Sequence, residues 1–563
     1  MHDAKRLDLV LLWHMHQPDY RDRATGEYTQ PWVYLRAIKD YADMAAHLER
    51  HPGVRAVVNL VPVLLDQLED YADQFASGRF RDPLLALLGR DESTPLTRAE
   101  REVVVRCCFR ANHEKMVQPY PAYKGLHDLF LALERQGREA VDYLSDRYCY
   151  DLVTWYHLAW TGETVKRSCE LVARLMTVGM GFTPADRRAL LDLVGEIVAG
   201  TIARYARLAA DGRVELSTTP HYHPLAPLLL DFRAAREARP GLPLPAAETY
   251  PGGATRVRAH LDTALASHAR RFGAPPVGVW PAEGAISAAF LDVLAGRGCR
   301  WAASGGGVLA NTLRSAGATP GERDAYRPWR VPGSQLTCFF RDDRLSDLIG
   351  FEYAKWHSAE AAASLIAELE AIAARASADG PPLVSVILDG ENCWEFYPYN
   401  GFYFLDELYG RLAAHPFIRT TTFADVVAAP SGAGHAVLPR VTAGSWVHGD
   451  LTTWIGSPDK NQAWDLLVAA KQSFDLVVAS KRLTADEAAA AEQQLADCEG
   501  SDWFWWLGDY NPAFAVATFD GRYRANLARL YGLLKLPVPP ALAQPISRGA
   551  GQPELGGTMR RAS

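Results

Sequence analysis

The residues best equipped for chemistry sit where apolar runs stop. Leu9, Val10, Leu11, Leu12 and Trp13 lead straight into His14, Met15, His16, Gln17 and Pro18. Two histidines one residue apart place both imidazoles on one face of an extended strand. Such a pair can ligate zinc, hold a substrate by hydrogen bonds, or pack. A second pair, His221 and His223, follows the run Val214 to Ser217 and the threonines Thr218 and Thr219. Two carboxylates stand in comparable places: Glu283 after Val277-Gly278-Val279-Trp280, and Asp389 after the run Leu383 to Leu388. A charge there is costly unless it is paired or used. Two carboxylates facing one bond form a glycosidase pair, one acting as nucleophile or base and the other as acid. Each also has a structural reading, such as a helix cap for Asp389. Arg341, Asp342, Asp343 and Asp347 follow a further run, and Glu391, Asn392 and Trp394 follow Asp389.

Metal chemistry is the rival. Both His-x-His pairs together with Asp389 would suit a zinc-dependent deacetylase. Against it, Gln17-Pro18 follows the first pair where a further ligand would be needed, and the second pair lies in a proline-rich loop.

These groups must be gathered on one face of a scaffold. The runs LDLVLLW, VRAVVNLV, VGVW and LVSVIL alternate with helical stretches such as YADMAAHLERH and SAEAAASLIAELEAIAARA. Alternation of this kind predicts parallel β/α units, whose strands are covered on both faces and read as continuous apolar runs. In such folds ligands bind beyond the carboxyl ends of the strands, where the groups above fall. Residues 1–430 read as this α/β domain, with a helical insertion over about 80–205. SGAGHAVLP resembles a linker, 431–540 reads as mainly helical, and 541–563, rich in Gly, Pro, Arg and Ser, reads as an unstructured tail.

At 563 residues the chain exceeds one ordinary domain. Its 48% apolar and 22% charged content is that of a soluble globular protein with a large core. A net charge of -7, without a basic stripe, argues against nucleic acid as partner. With 15 Trp and 23 Tyr, some indoles can stack on sugar rings while most fill the core. Eight scattered cysteines without a CxxC pair read as reduced thiols of a cytoplasmic protein. The N-terminal apolar run is too short for a signal peptide or membrane helix, so no membrane partner is expected.

The same residues resemble family-57 glycoside hydrolases, which are recognised by five short regions. HMHQPDY (14–20) matches the first, whose core is His-Gln-Pro, and GRVELSTTPHYHPLAPLL (212–229) is similar to the second. GVWPAEGAIS (278–287) and LDGENCWEF (388–396) are similar to the third and fourth. EGSDWFWWLGD (499–509) looks like the fifth. Segments between them, including PWVYLRAIKDYADM and FFRDDRLSDLIGFEY, look like the α-amylase and amylopullulanase-like branch. The likeness spans about residues 7–515.

The resemblance implies a (β/α)7 barrel, an incomplete TIM-type barrel, followed by a mainly α-helical domain that helps form the cleft. It implies a retaining enzyme acting on α-1,4 glucans, with α-1,6 linkages as an alternative target, through a covalent glycosyl-enzyme, with Glu283 as nucleophile and Asp389 as acid/base. His14, His16 and Gln17 would hold sugar hydroxyls. His221, Trp280, Arg341, Trp394, Trp454, Asp502 and Trp503 would also bind substrate, with Trp505 and Trp506 as further stacking candidates. No metal or other cofactor is implied, and hydrolysis, 4-α-glucanotransfer and branching share one intermediate. A non-catalytic glycan-binding protein is a third class, raised by the first of two departures from the family pattern. Gly305 and Gly306 stand where relatives carry two acidic residues, and GDYNPAFAV replaces Gly-Asp-Asp-His.

Overall fold

A computed structural model describes residues 6–135, 138–375, 380–429 and 435–551. Among the described residues ten strands form two five-stranded sheets. They are β1 (Leu7–Met15), β2 (Ala56–Leu60), β3 (Val214–Ser217), β4 (Gly278–Val279), β5 (Trp301–Gly305), β6 (Trp329–Arg330), β7 (Thr337–Arg341), β8 (Leu383–Asp389), β9 (Ile418–Thr421) and β10 (Ala436–Val437). The first sheet runs β3-β2-β1-β8 with β9 also on β1, and the second runs β10-β6-β7-β5-β4. Every pairing is parallel except that of β6 with β7. The expected apolar runs are all strands.

Short links join the two sheets on both sides. Thr218 bridges Val279 in parallel, and the Trp280 amide donates to the Thr218 carbonyl at 3.1 Å. Across the other junction the Asp342 amide donates to the Ser385 carbonyl at 2.8 Å, and Arg341 Nε to the Ile387 carbonyl at 2.8 Å.

Strand periodicity sorts the apolar residues into two cores. Val10, Leu12, Val57, Trp280, Trp301, Ala303, Phe339, Leu383 and Ile387 form one cluster with Phe423. Their sequence neighbours Leu9, Leu11, Trp13, Val58, Phe340 and Val386 join the larger cluster that the helices cover. This is the two-faced burial of a helix-covered parallel sheet. His14 and Asp389 continue the series 10, 12, 14 and 383, 387, 389, so they leave the first cluster at its carboxyl end. They are also register partners, as are His14 and Asn59, and Asn59 and Ser217.

Between β2 and β3 the described residues hold helices and turns only, among them Asp146–Trp160 and Pro184–Ala210. The second begins with a capping box between Thr183 and Asp186. Beyond the sheets, helices Pro458–Ala479, Ala485–Cys498, Ser501–Trp506 and Ala513–Leu533 pack on one another. Of the segment read as a linker, 431–434 lies outside the described residues, whereas Ala436–Val437 pairs with β6. The expected unstructured tail needs correction at its start. Leu542 and Ile546 are buried, and the Ile546 amide donates to Asp520 at 2.8 Å, because apolar side chains in this stretch find the flank of helix Ala513–Leu533. The rest of that tail, from 552, lies outside the described residues. Among the described residues no helix is long and apolar enough to cross a membrane.

Candidate active site

The strand ends open into a cavity of about 540 Å³. His14, His16, Gln17, His223, Glu283, Arg341, Asp389 and Asp502 all line it.

His14 is held from behind. Its Nδ1 lies 2.6 Å from Asn59 Oδ1, which also accepts from Thr219 at 3.0 Å, while Asn59 Nδ2 donates to Ser217 at 3.0 Å. Because the partner is an acceptor, the His14 proton sits on Nδ1 and Nε2 remains an acceptor. Burial, then the neighbouring His16, lowers His14 to about 3, so it is neutral. His16 Nε2 lies 2.9 Å from Asp502, a residue of the C-terminal helical region. The Gln17 amide is fixed on both sides: Nε2 donates to Glu391 at 3.1 Å and Oε1 accepts from Tyr20 at 3.1 Å. The question of two pairs or one thus has a geometric answer. His14, His16 and His223 form a stack, with ring centroids 5.1 Å apart for His14 and His223 and 4.0 Å for His16 and His223. His221 is not part of it and lies outside the cavity lining, bound to Asp66 at 2.9 Å.

Glu283 is presented on a strained turn. Its φ is +57°, as is that of His223, a conformation non-glycine residues enter at a cost of about 1–3 kcal/mol. Gly284 follows, also at +57°, where an added Cβ would meet the Trp280 ring at 2.8 Å. Two donors grip the carboxylate: Ser501 Oγ at 2.9 Å on one oxygen and Trp446 Nε1 at 3.2 Å on the other. Ser501 in turn lies 2.7 Å from His223 Nδ1, which donates to it, so a relay runs His223 to Ser501 to Glu283. Asp389 has one side-chain donor, Asn392 at 2.7 Å.

Burial, then the Asp502 carboxylate, pushes Glu283 up to about 8, while burial raises Asp389 to about 6. Both carboxyls therefore hold a proton to higher pH than a free carboxylate, and the donors on Glu283 and Asp389 oppose that shift without cancelling it. Glu391, buried in the same cavity wall, is raised well above the usual carboxylate range by burial and by Asp389.

The structure does not bring every expected contact to the cavity. Trp280, Trp394, Trp454 and Trp503 are buried and outside its lining. Trp394 props the Asp389 loop by donating to the Gly390 carbonyl at 3.0 Å, Trp503 donates to the Asp497 carbonyl at 2.6 Å, and Trp280 packs against Trp446. Large rings beside a cavity fill the shell behind it whenever both faces find apolar neighbours. Arg341 does line the cavity, but Asp343 and Asp347 bind its guanidinium at 3.0 and 2.9 Å. The aromatic lining comes instead from Trp32, Trp160, Trp446, Trp505, Trp506 and Phe519, the last two stacked at 4.4 Å. Trp446, Ser501 and Asn59 were missed because none lies at the end of an apolar run with a second polar group beside it.

The glycine departure has a steric cause. A Cβ on Gly305 would meet the Trp446 Cα at 2.7 Å, and one on Gly306 would meet the Arg341 carbonyl at 2.8 Å. Gly305 lets the Ser445–Trp446 backbone lie against β5, which sets Trp446 on Glu283, while Gly306 leaves room for the Arg341 carbonyl and the Asp343 carboxylate. The Gly307 amide donates to Asp343 at 2.9 Å.

His16, His223 and Asp502 also offer ligand atoms within 4.8 Å of one another. The two rings, however, stack at an interplanar angle of 17°. Lone pairs in parallel ring planes run side by side and do not converge on one ion. The set is better suited to bonding several hydroxyls.

No curated relative matches the chain. Solved structures do. A GH57-type branching enzyme from the hyperthermophilic archaeon Pyrococcus horikoshii is 16% identical, with a TM-score of 0.56 over 93% of this chain and 88% of that one. A GH57 branching enzyme from Thermococcus kodakaraensis is 15% identical, with a TM-score of 0.53 over 94% and 90%. The α-amylase AmyC from Thermotoga maritima is 12% identical, with a TM-score of 0.56 over 94% and 93%. At these identities the likeness is one of fold. The model of glycosyl hydrolase family 57 matches residues 10–438, which hold both carboxylates and the histidine stack, and the chain belongs to that family.

Proposed function

We propose that this protein is a retaining α-glucan hydrolase in which Glu283 is the nucleophile and Asp389 the acid/base. The observation that carries it is the unequal support of two carboxyls lining one cavity. Ser501 and Trp446 both donate to Glu283, while Asp389 has one side-chain donor, Asn392. Asp389 protonates the leaving oxygen as Glu283 attacks the anomeric carbon, then takes a proton from water as the glycosyl-enzyme is hydrolysed. Neutral His14, with His16 and Gln17, bonds sugar hydroxyls beside the nucleophile. Trp446, Trp505 and Trp506 offer stacking faces, whereas Trp280, Trp394, Trp454, Trp503 and His221 support the site from behind.

The scaffold is read as a seven-stranded barrel in the order β1-β2-β3-β4-β5-β7-β8, closed by the links between β3 and β4 and between β7 and β8. The α-glucan class is supported by the names of the structural neighbours, a branching enzyme and an α-amylase among them. Transfer to an acceptor sugar is the second reading, favoured by the wall of Trp505, Trp506 and Phe519 from the C-terminal region, which can seat an acceptor chain. The eight free cysteines fit a reducing, cytoplasmic setting.

Incubation with amylose, pullulan and short malto-oligosaccharides, with and without acceptor sugar, tests both readings. Shortened products released first as the α-anomer, followed by proton NMR, are expected. Initial release of the β-anomer overturns the retaining mechanism. Turnover of none of these glucans, with activity instead on an acetylated sugar that a chelator abolishes, overturns the glucan reading.

A further inference from the structure

A second cluster lies among the covering helices, outside the lining of the cavity. His47 and His51 stand one helical turn apart at the end of helix Ala42–Arg50, on one face. Asp406, on helix Phe402–Ala414, faces them. Ligand-capable atoms of all three lie within 4.8 Å of one another. His51 Nε2 is 2.9 Å from Asp406 Oδ1.

The second observation is His47 itself. It is 0% exposed, and neither ring nitrogen has a hydrogen-bond partner. Buried polar atoms left without any partner are uncommon, and each asks for an explanation. Phe402 and Tyr409 flank the ring at 5.3 and 6.4 Å between centroids and supply no acceptor to its edge.

From these contacts we infer that His47, His51 and Asp406 form a binding site for a divalent ion of the zinc class. Two imidazole nitrogens and one carboxylate oxygen are a borderline-soft donor set suited to zinc, cobalt or nickel and poorly suited to magnesium or calcium. Ligand bonds of about 2.0–2.1 Å at a tetrahedral angle put donor atoms about 3.3 Å apart. His51 and Asp406 are already near that spacing, and His47 lies within 4.8 Å of both. The fourth position faces solvent, since the Asp406 side chain is 34% exposed. Arg50 is the competing cation: its guanidinium pairs with Asp406 at 3.1 Å and lies over the Phe402 ring. Loading exchanges that cation for a metal. The ion would tie the helix that follows β1 to the helix that follows β8, elements more than 350 residues apart whose strands carry His14 and Asp389. The site stands independently of the reaction proposed above.

The test uses the full chain stripped with a chelator. Zinc is titrated against a chromophoric competitor, and cobalt absorption reports tetrahedral nitrogen and oxygen ligation. One equivalent of zinc bound at micromolar concentration is expected, with a higher melting temperature. His51→Ala should weaken binding at least ten-fold, Arg50→Ala should tighten it, and His16→Asn should leave it unchanged. Because His51 is partly exposed, its variant is expected to fold, which circular dichroism checks. No zinc bound at micromolar concentration overturns the inference. So does zinc that is lost in His16→Asn but kept in His51→Ala, which would place it in the cavity.

Discussion

Glu283 is defined by what surrounds it more than by its own type. The turn Pro281-Ala282-Glu283-Gly284 spends backbone strain to aim one carboxyl at a buried space, and the Ser501 and Trp446 donors favour its charged form against the burial that opposes it. Glu283→Ala should lose several powers of ten in kcat, because no covalent route is left, and azide should restore part of it by entering the vacated space. Assay of a substrate with a good leaving group, with and without azide, measures this; absence of rescue would argue against the nucleophile role. Ser501→Ala removes one charge-assisted bond and should cost about ten- to hundred-fold in kcat. Ser501→Thr should recover part of that loss, which a purely packing role would not predict. The pH profile follows from the pair. Below about 6 both carboxyls hold protons and no nucleophile remains; above about 8 both are charged and no acid remains. A bell-shaped kcat/KM between these limits is expected, and an activity still rising past pH 9 would contradict it.

At the scale of elements, two joints hold the cleft together. The first is the contact of β5 with the Ser445–Trp446 segment. Gly305→Asp, which restores an acidic residue, would drive a side chain into the Trp446 backbone and should lower kcat while KM for short glucans changes little. Steady-state kinetics and Trp fluorescence check this together. The second joint is Glu499, fully buried at the end of helix Ala485–Cys498. Arg256 reaches it at 2.9 Å, His260 at 2.7 Å and Tyr250 at 2.6 Å, all from the segment around helix Gly253–Phe272. Burial opposes ionisation of Glu499, but Arg256 and His260 outweigh it and hold the carboxyl down at about 2. A depressed folded value means the stabilisation is complete above the unfolded value near 4.3 and fades as pH falls toward 2. Glu499→Gln strands a buried guanidinium and should destabilise by about 3–5 kcal/mol at neutral pH. Urea melts of both proteins at pH 7 and pH 3 should show that difference shrink on acidification.

At the scale of the molecule, the cavity belongs to neither half alone. The sheets bring His14, His223, Glu283 and Asp389; the chain beyond 438 brings Trp446, Ser501, Asp502, Trp505 and Trp506. Backbone bonds stitch the halves: Ser501 donates to the His223 carbonyl at 2.9 Å, and Ile286 exchanges bonds with Gly444 at 2.9 and 3.1 Å. Arg522 and Arg529 donate to carbonyls of Asp19 and Arg23, each at 2.6 Å. A chain ended at residue 438 therefore retains both carboxyls and should still lose all measurable turnover. Adding the remainder as a separate polypeptide restores activity only if the two parts fold and dock. Reducing-sugar assays on the truncated chain and the mixture test it.

Much of this was legible in the sequence for definite reasons. Strands buried on both faces must be continuously apolar, so LVLLW, AVVNL and LVSVILD declare themselves, and ionisable groups at their ends cannot be core. That alone singled out His14, His16, Glu283 and Asp389, and the spacing of the five regions pointed to the family. What sequence spacing could not decide was which ring turns inward. An indole contributes the same apolar area whether it walls a cavity or backs it, so Trp280, Trp394, Trp454 and Trp503 went to the shell while Trp446 and Trp505 took the lining. Nor could spacing tell that His223 joins the first histidine pair and His221 does not, since a turn at positive φ separates their directions. The chain by itself determined the chemistry available, because residue types at strand ends are written in order. Tertiary structure decided the partners, because Ser501 meets Glu283 across 218 residues and no local pattern reports a contact made at that distance.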